Sequence, residues 1–256
     1  MLPRFLTVYI SLLFAAFAFD STKGQNTTSW NKLLEESPDR KQTFVNILLP
    51  LINEQNQKIL KDREFIRLFF DKYPNTQSDA KISAFDYSKL IGIASSYKVG
   101  NLFDKKEYFE KIDIIPASLV LSQAALESGW GSSRVSMASN NLFGQKSFGS
   151  KNYVKAAGNT NVKYAAFDSV GDAVKSYMTN LNSHEAYREF RKKRADTRLK
   201  NIDFTGLKAA KTLINYSEVG RDYTVMLSQM IKSYFGAYDE AKSIITGGVA
   251  TIGFIY

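Results

Sequence analysis

The segment Ala125-Leu126-Glu127-Ser128-Gly129-Trp130-Gly131 sets one carboxylic acid where a buried helix should stop. Leu119, Val120, Leu121 and Leu126, with the small Ala124 and Ala125, read as a closely packed helix. Gly129 can take the left-handed conformation that ends a helix, which puts Glu127 in the last turn. There the carboxyl meets the negative end of the helix dipole and loses part of its hydration. Both effects disfavour ionisation and raise its pKa. A glutamic acid still protonated near neutral pH is what general-acid protonation of a leaving oxygen requires. Taken by spacing alone, a glutamate that only caps or ion-pairs a helix end fits the same residues.

Other chemistries find few groups. One histidine and no cysteine leave little from which to build a zinc or haem site, so no metal and no cofactor are expected. His184, in Ser-His-Glu-Ala-Tyr at a helix boundary, reads as structural. The absence of cysteine also excludes a disulfide framework, and the core must hold by packing. Between Gly144 and Phe167 there is no Asp or Glu; the nearest acid is Asp168. Asp168 is a candidate second catalytic carboxylate, but a turn or N-cap ahead of a helix from Val170 is the preferred reading.

The elements that must position these groups are mostly helical. Ser37-Pro38-Asp39 opens a helix carrying Phe44, Ile47, Leu48 and Leu51, extended by Ile52, Ile59 and Leu60, which Pro50 should kink or break. Phe65 to Phe70 is a second apolar cluster ended by Tyr73-Pro74. Further helices are expected over Phe85–Val99, Lys105–Lys111, Pro116–Glu127, Ser169–Asn182, Glu185–Lys193, Phe204–Ile214 and Asp222–Phe235. Tyr153-Val154 and Val162-Lys163-Tyr164, around the turn 157–160, predict a small β-hairpin lobe. The fold class is α+β, mostly helical.

The ends differ in texture. Arg4 precedes an apolar run from Phe5 to Phe19, then small and polar residues, which reads as a signal peptide over 1–24 and implies export to a periplasm or cell wall. Residues 25–37 read as a polar spacer, 38–240 as one domain with its core at about 100–236, and 241–256 as an apolar, glycine-containing tail too short to span a membrane. The net charge is +9, of which Arg4 and Lys23 against Asp20 supply one unit. Such a chain is drawn to polyanions, and outside the cell to anionic lipid or wall. The six basic residues between Arg188 and Arg198 read as a solvated helix face. No nucleic-acid motif appears, and a monomer without a stable membrane span is expected.

The run Ser122-Gln123-Ala124-Ala125-Leu126-Glu127-Ser128-Gly129-Trp130-Gly131-Ser132-Ser133, followed by Ser139-Asn140-Asn141-Leu142-Phe143-Gly144, resembles the motifs of glycoside hydrolase family 73, the bacterial cell-wall N-acetylglucosaminidases. Arg40 to Phe44, Leu49 to Ile52, Ser176 to His184, and Tyr216-Ser217 with Arg221-Asp222-Tyr223 extend the likeness to the branch of Bax proteins, over roughly residues 38–235. The resemblance implies a lysozyme-like fold, a peptidoglycan substrate and Glu127 as catalytic acid. It implies that Asn140 and Asn141 shape the cleft, and that Tyr216 and Tyr223 belong to a tyrosine motif. Tyr216 would steady the acetamido group or the developing cation, and Tyr223 would bind substrate. Trp130 and Phe143 could stack on sugar rings, or equally pack beneath the helix. Many family members carry a second carboxylate in the β lobe, which this sequence lacks. Attack by the substrate's own acetamido oxygen then becomes the favoured route, ahead of inversion through a distant carboxylate. A lytic transglycosylase-like enzyme and a non-catalytic wall-binding or regulatory protein are the alternative readings.

Overall fold

The computed structural model describes residues 29–74, 82–147, 152–155, 162–213 and 221–240. In chain order these form α1 (Trp30–Glu35), α2 (Arg40–Lys72), α3 (Ala84–Tyr97), α4 (Lys105–Lys111), α5 (Ala117–Ser128), α6 (Arg134–Ser139), β1 (Tyr153–Lys155), β2 (Lys163–Ala165) and α7 (Val170–Ser183). A 3-10 turn over Glu185–Tyr187 leads into α8 (Arg188–Leu199), then α9 (Gly206–Ala210). Helix α10 (Arg221–Met230) continues as a π-helical turn over Ile231–Phe235, and α11 (Ala237–Glu240) follows. The architecture is mostly helical with one antiparallel hairpin, pairing Tyr153 with Ala165 and Lys155 with Lys163. The α+β expectation holds.

Helix α5 is the centre. Every residue from Ala117 to Ala125 is buried, with α2, α9, α10 and α11 packed around it. Small side chains permit that crowding. The closest approach is at Gly206 of α9, where a Cβ would lie 1.9 Å from Ser118 Oγ and 3.0 Å from Leu119 N. Asp239 of α11 locks the junction: its carboxylate accepts from Ser118 Oγ at 2.6 Å and from Gly206 N at 2.6 Å. Helix α5 has no cap of its own from Pro116, so Asp239, which also accepts from Ser118 N, serves as one.

Four expectations need correction. Helix α2 runs unbroken through Pro50. Pro50 is exposed, while Phe44, Val45, Leu48, Ile52 and Ile59 are buried on other faces. Burying each of these is worth about 1.5–3 kcal/mol, which together exceeds the roughly 3 kcal/mol that an interior proline costs. The same helix continues through Phe65 to Phe70, which is no separate element. The polar spacer contains α1, whose Leu34 is buried against the domain. The basic stretch of α8 is not simply a solvated face either, because Arg191 and Arg194 are 1% and 2% exposed.

Arg191 donates to the carbonyls of Leu181 and His184, and Arg194 belongs to a group around Asp113, itself buried after α4. Arg198 grips its carboxylate with Nε and Nη2, and Arg63 stands 3.9 Å away. Arg194 donates to the carbonyls of Glu110, Lys111, Asp113 and Ile114 and to Asn182 Oδ1. The guanidinium groups are thus held by carbonyl oxygens and by one carboxylate, which binds α2, α4 and α8 together.

Two outcomes follow. Gly206→Ala should cost about 1–3 kcal/mol through overpacking, read as a melting temperature lower by roughly 3–10 °C. The arginines hold Asp113 down to about 2, despite its burial. Its stabilisation is present above the unfolded carboxyl pKa of about 4 and is lost as pH falls towards about 2. Acid titration of the melting temperature should show that drop in the wild type. Asp113→Asn should be less stable at neutral pH and lack this part of the acid dependence.

Candidate active site

Three consecutive residues at the end of α5 have left-handed backbone: Gly129 (φ 57°), Trp130 (φ 57°) and Gly131 (φ 76°). The chain therefore turns sharply after Glu127. Ser128 knots the turn, its Oγ donating to Ala124 O at 2.5 Å and accepting from Gly131 N at 2.8 Å. Gly131 is required twice over, since a Cβ there would also lie 2.7 Å from Leu34 Cδ1 and 2.9 Å from the Trp30 ring. Helix α1 thus presses on the turn. Trp30 Nε1 donates to Asn140 Oδ1 at 2.7 Å, Asn31 Nδ2 donates to Met137 O, and Arg40 Nε to Trp130 O.

The helix end delivers Glu127 to the surface side of α5, where the residue is exposed. Its Oε1 accepts from Tyr223 Oη at 3.0 Å. Gly144, at φ 60°, lies on the Oε2 side; a Cβ there would be 3.5 Å from that oxygen. Burial around the carboxyl raises its pKa and outweighs the Tyr223 hydrogen bond, which acts to lower it. A carboxyl so placed can hold a proton at higher pH than a free glutamate and still face solvent and substrate. Burial also pushes the Tyr223 hydroxyl up, with the Glu127 charge adding to it, so Tyr223 remains a phenol and a donor.

The other expected site residues sit differently. Asn141 is buried, its amide donating to Gln145 O and Ala165 O and its Oδ1 accepting from Phe143 N and Gln145 N. It pins the turn at Gln145 to the hairpin, with no group left for a ligand. Asn140, at φ 54°, links Trp30 to Phe167 O and so ties α1 to the end of the hairpin. Phe143 is 2% exposed and stacked face to face on Tyr177 at 4.0 Å, so its ring belongs to the core and cannot stack on a sugar. Trp130 is half-buried among Phe44, Tyr234 and Phe235, with Lys41 over the ring, and packs as the alternative reading had it. Tyr223 is buried and meets Glu127 instead of open solvent.

Asp168 is exposed in the bend before α7. The cap of α7 is its neighbour Ser169, whose Oγ accepts from Asp172 N. No hydrogen bond or ion pair of Asp168 occurs among the described residues. Tyr216, the turn 157–160, residues 1–24 and the tail 241–256 lie outside the described residues. His184 caps the 3-10 turn through Nδ1, as a structural residue would. Among the described residues no group of three or more His, Asp or Glu could hold a metal ion. A cavity of about 690 Å³ near α8 and α9, lined by Tyr187, Lys193 and Lys208 among others, contains none of these residues.

Gln123 and Tyr177 were missed as site residues. The amide of Gln123 donates to Tyr223 Oη at 2.9 Å, and Tyr177 Oη donates to its Oε1. The available signal was an amide side chain four positions before Glu127 in a helix of otherwise apolar and small residues.

Replacing Tyr223 by Phe removes the hydrogen bond that favours the carboxylate. The Glu127 pKa should then move further up, read by a carbon-13 NMR titration of the labelled side-chain carboxyl.

The chain is similar to one family model and to two known proteins. The family model described as mannosyl-glycoprotein endo-beta-N-acetylglucosaminidase matches residues 104–236. Protein bax of Escherichia coli strain K12 is 34% identical over 219 residues, 84% of this chain and 76% of that protein. The catalytic domain of the autolysin Auto from Listeria monocytogenes is 21% identical, with 66% of this chain and 96% of that chain covered and a TM-score of 0.37.

Proposed function

This chain belongs to the mannosyl-glycoprotein endo-beta-N-acetylglucosaminidase family, a family of glycoside hydrolases, and from that membership we propose that it is an exported peptidoglycan hydrolase. The bond cut is the β-1,4 linkage after N-acetylglucosamine. Glu127 is the general acid and protonates the glycosidic oxygen as the bond to the anomeric carbon breaks. The observation that carries the reading is the Glu127 carboxyl itself: exposed at a helix end, raised in pKa by burial, and oriented by Tyr223.

The rest of the mechanism follows from what surrounds that acid. The stretch between Gly144 and Phe167 supplies no carboxylate to act as nucleophile. The substrate's 2-acetamido oxygen attacks the anomeric carbon instead, and water then opens the intermediate, its proton returning to Glu127. Tyr216 steadies the acetamido group in this scheme, and Asp168 stands as the reserve carboxylate. The net charge of +9 holds the protein near an anionic wall, consistent with the apolar leader read as an export signal.

The test is product analysis on purified peptidoglycan. Glu127→Gln should lower the release of reducing ends by roughly 10²–10⁴-fold, the usual contribution of a positioned acid. Wild-type products should end in reducing N-acetylglucosamine. Anhydromuramic ends would instead identify a lytic transglycosylase, and binding to sacculi without turnover would identify a wall-binding protein. Undiminished cleavage by Glu127→Gln would remove Glu127 from the mechanism.

A further inference from the structure

A chain of buried polar groups stands behind Glu127 and connects three helices. Tyr177 of α7 donates to Gln123 of α5, Gln123 donates to Tyr223 of α10, and Tyr223 donates to Glu127. Gln123 is fully buried, on a helix whose Leu119, Val120, Leu121 and Ala124 are fully buried too. Burying an amide costs free energy unless its hydrogen bonds are made, and an apolar residue of similar size would fill the same space without that demand. The amide is therefore kept for what it does to its neighbours. We infer that Gln123 and Tyr177 are positioning residues that fix which oxygen of Glu127 carries the catalytic proton. This rests on the reading of Glu127 as the acid.

The direction of the relay follows from hydrogen-bond chemistry. An amide oxygen only accepts and an amide nitrogen only donates. Tyr177 Oη donates to Gln123 Oε1, which turns the amide nitrogen towards Tyr223. The Tyr223 oxygen accepts from that nitrogen at 2.9 Å, so its single proton is directed onto Glu127 Oε1 at 3.0 Å. Oε1 accepts whether or not the carboxyl is ionised. The proton of the acid then sits on Oε2, the oxygen on the side of Gly144. The face-to-face stack of Tyr177 on Phe143 fixes the far end of the relay and joins it to the Asn140–Gly144 turn.

Breaking the relay has a defined consequence. Without the Tyr177 hydroxyl the Gln123 amide can flip and offer Oε1 to Tyr223. Tyr223 then donates to Gln123, and Glu127 loses a hydrogen bond that favours its charged form. The Glu127 pKa rises. An acid must be protonated to act, so activity persists to higher pH, while the proton is no longer confined to Oε2.

The experiment uses the full chain with Tyr177→Phe and Gln123→Leu, assayed on soluble glycan strands across pH, with folding checked by near-ultraviolet circular dichroism. Tyr177→Phe should lose about tenfold in kcat, a part of what a positioned acid supplies, with KM unchanged and the alkaline limb moved upward; Gln123→Leu, which leaves Tyr223 no acceptor but Glu127, should lose kcat without that upward move. The double variant Gln123→Leu with Tyr223→Phe should be no slower than Tyr223→Phe alone, because Gln123 acts through Tyr223. A folded Tyr177→Phe with wild-type kcat and an unmoved limb overturns the relay, as does full additivity in the double variant. Tyr177→Phe keeps the stacked ring, so it decides the matter alone if Gln123→Leu does not fold. Glu127→Gln is assayed in parallel. Its inactivity beside an unaffected Tyr177→Phe rejects the relay only, whereas its full activity rejects the acid assignment as well.

Discussion

The burial of α5 on all sides governs the rest of the molecule. A helix enclosed by α2, α9, α10 and α11 cannot shift without disturbing each of them, and Asp239 fixes its first turn to Gly206. Interiors packed at this density resist displacement. The last turn of α5, with Glu127, is anchored by that packed middle, although Glu127 itself reaches solvent. Rigidity is supplied by packing and exposure by the helix simply ending. The three left-handed residues that follow take the chain away from the acid and leave its carboxyl uncovered.

A second interior carries charge. Asp113 and the arginines around it join α2, α4 and α8, a task that a cysteine-containing protein can give to covalent links. Removing one partner from such a group costs far more than the group contributes as a whole, because the remaining charges stay buried. Much of the fixation comes from carbonyl oxygens at the end of α4, which Arg194 collects. The protein thus stabilises its helix junctions with polar groups where apolar packing gives out.

Much of this was legible in the residues. Apolar spacing located most of the helices, the two strands were placed within a residue or so, and Gly129 marked the stop after Glu127. What failed depended on tertiary context. Pro50 looked like a break because local cost is visible in sequence and burial on the other faces is not. Arg191 and Arg194 looked solvated because their partners are main-chain carbonyls, some about 80 residues away. Phe143 and Asn141 were placed near Glu127, yet which way each side chain turns is decided by Tyr177 and by the hairpin. The raised pKa of Glu127 was anticipated from the helix dipole and from lost hydration together, and burial is the larger cause the structure supplies.

The contact between Trp30 and Asn140 joins residues 110 apart. Such distant pairings close large loops, and they form late because the entropy of closure must be met before they contribute. In a growing chain α1 can rest on α2 as soon as that helix is made, but its partner Asn140 follows 110 residues after Trp30. The turn beside Glu127 consequently gains its outer brace only once that long loop closes. The acid exists in the chain long before it has a fixed bearing, and a partly built molecule holds it without the means to aim it.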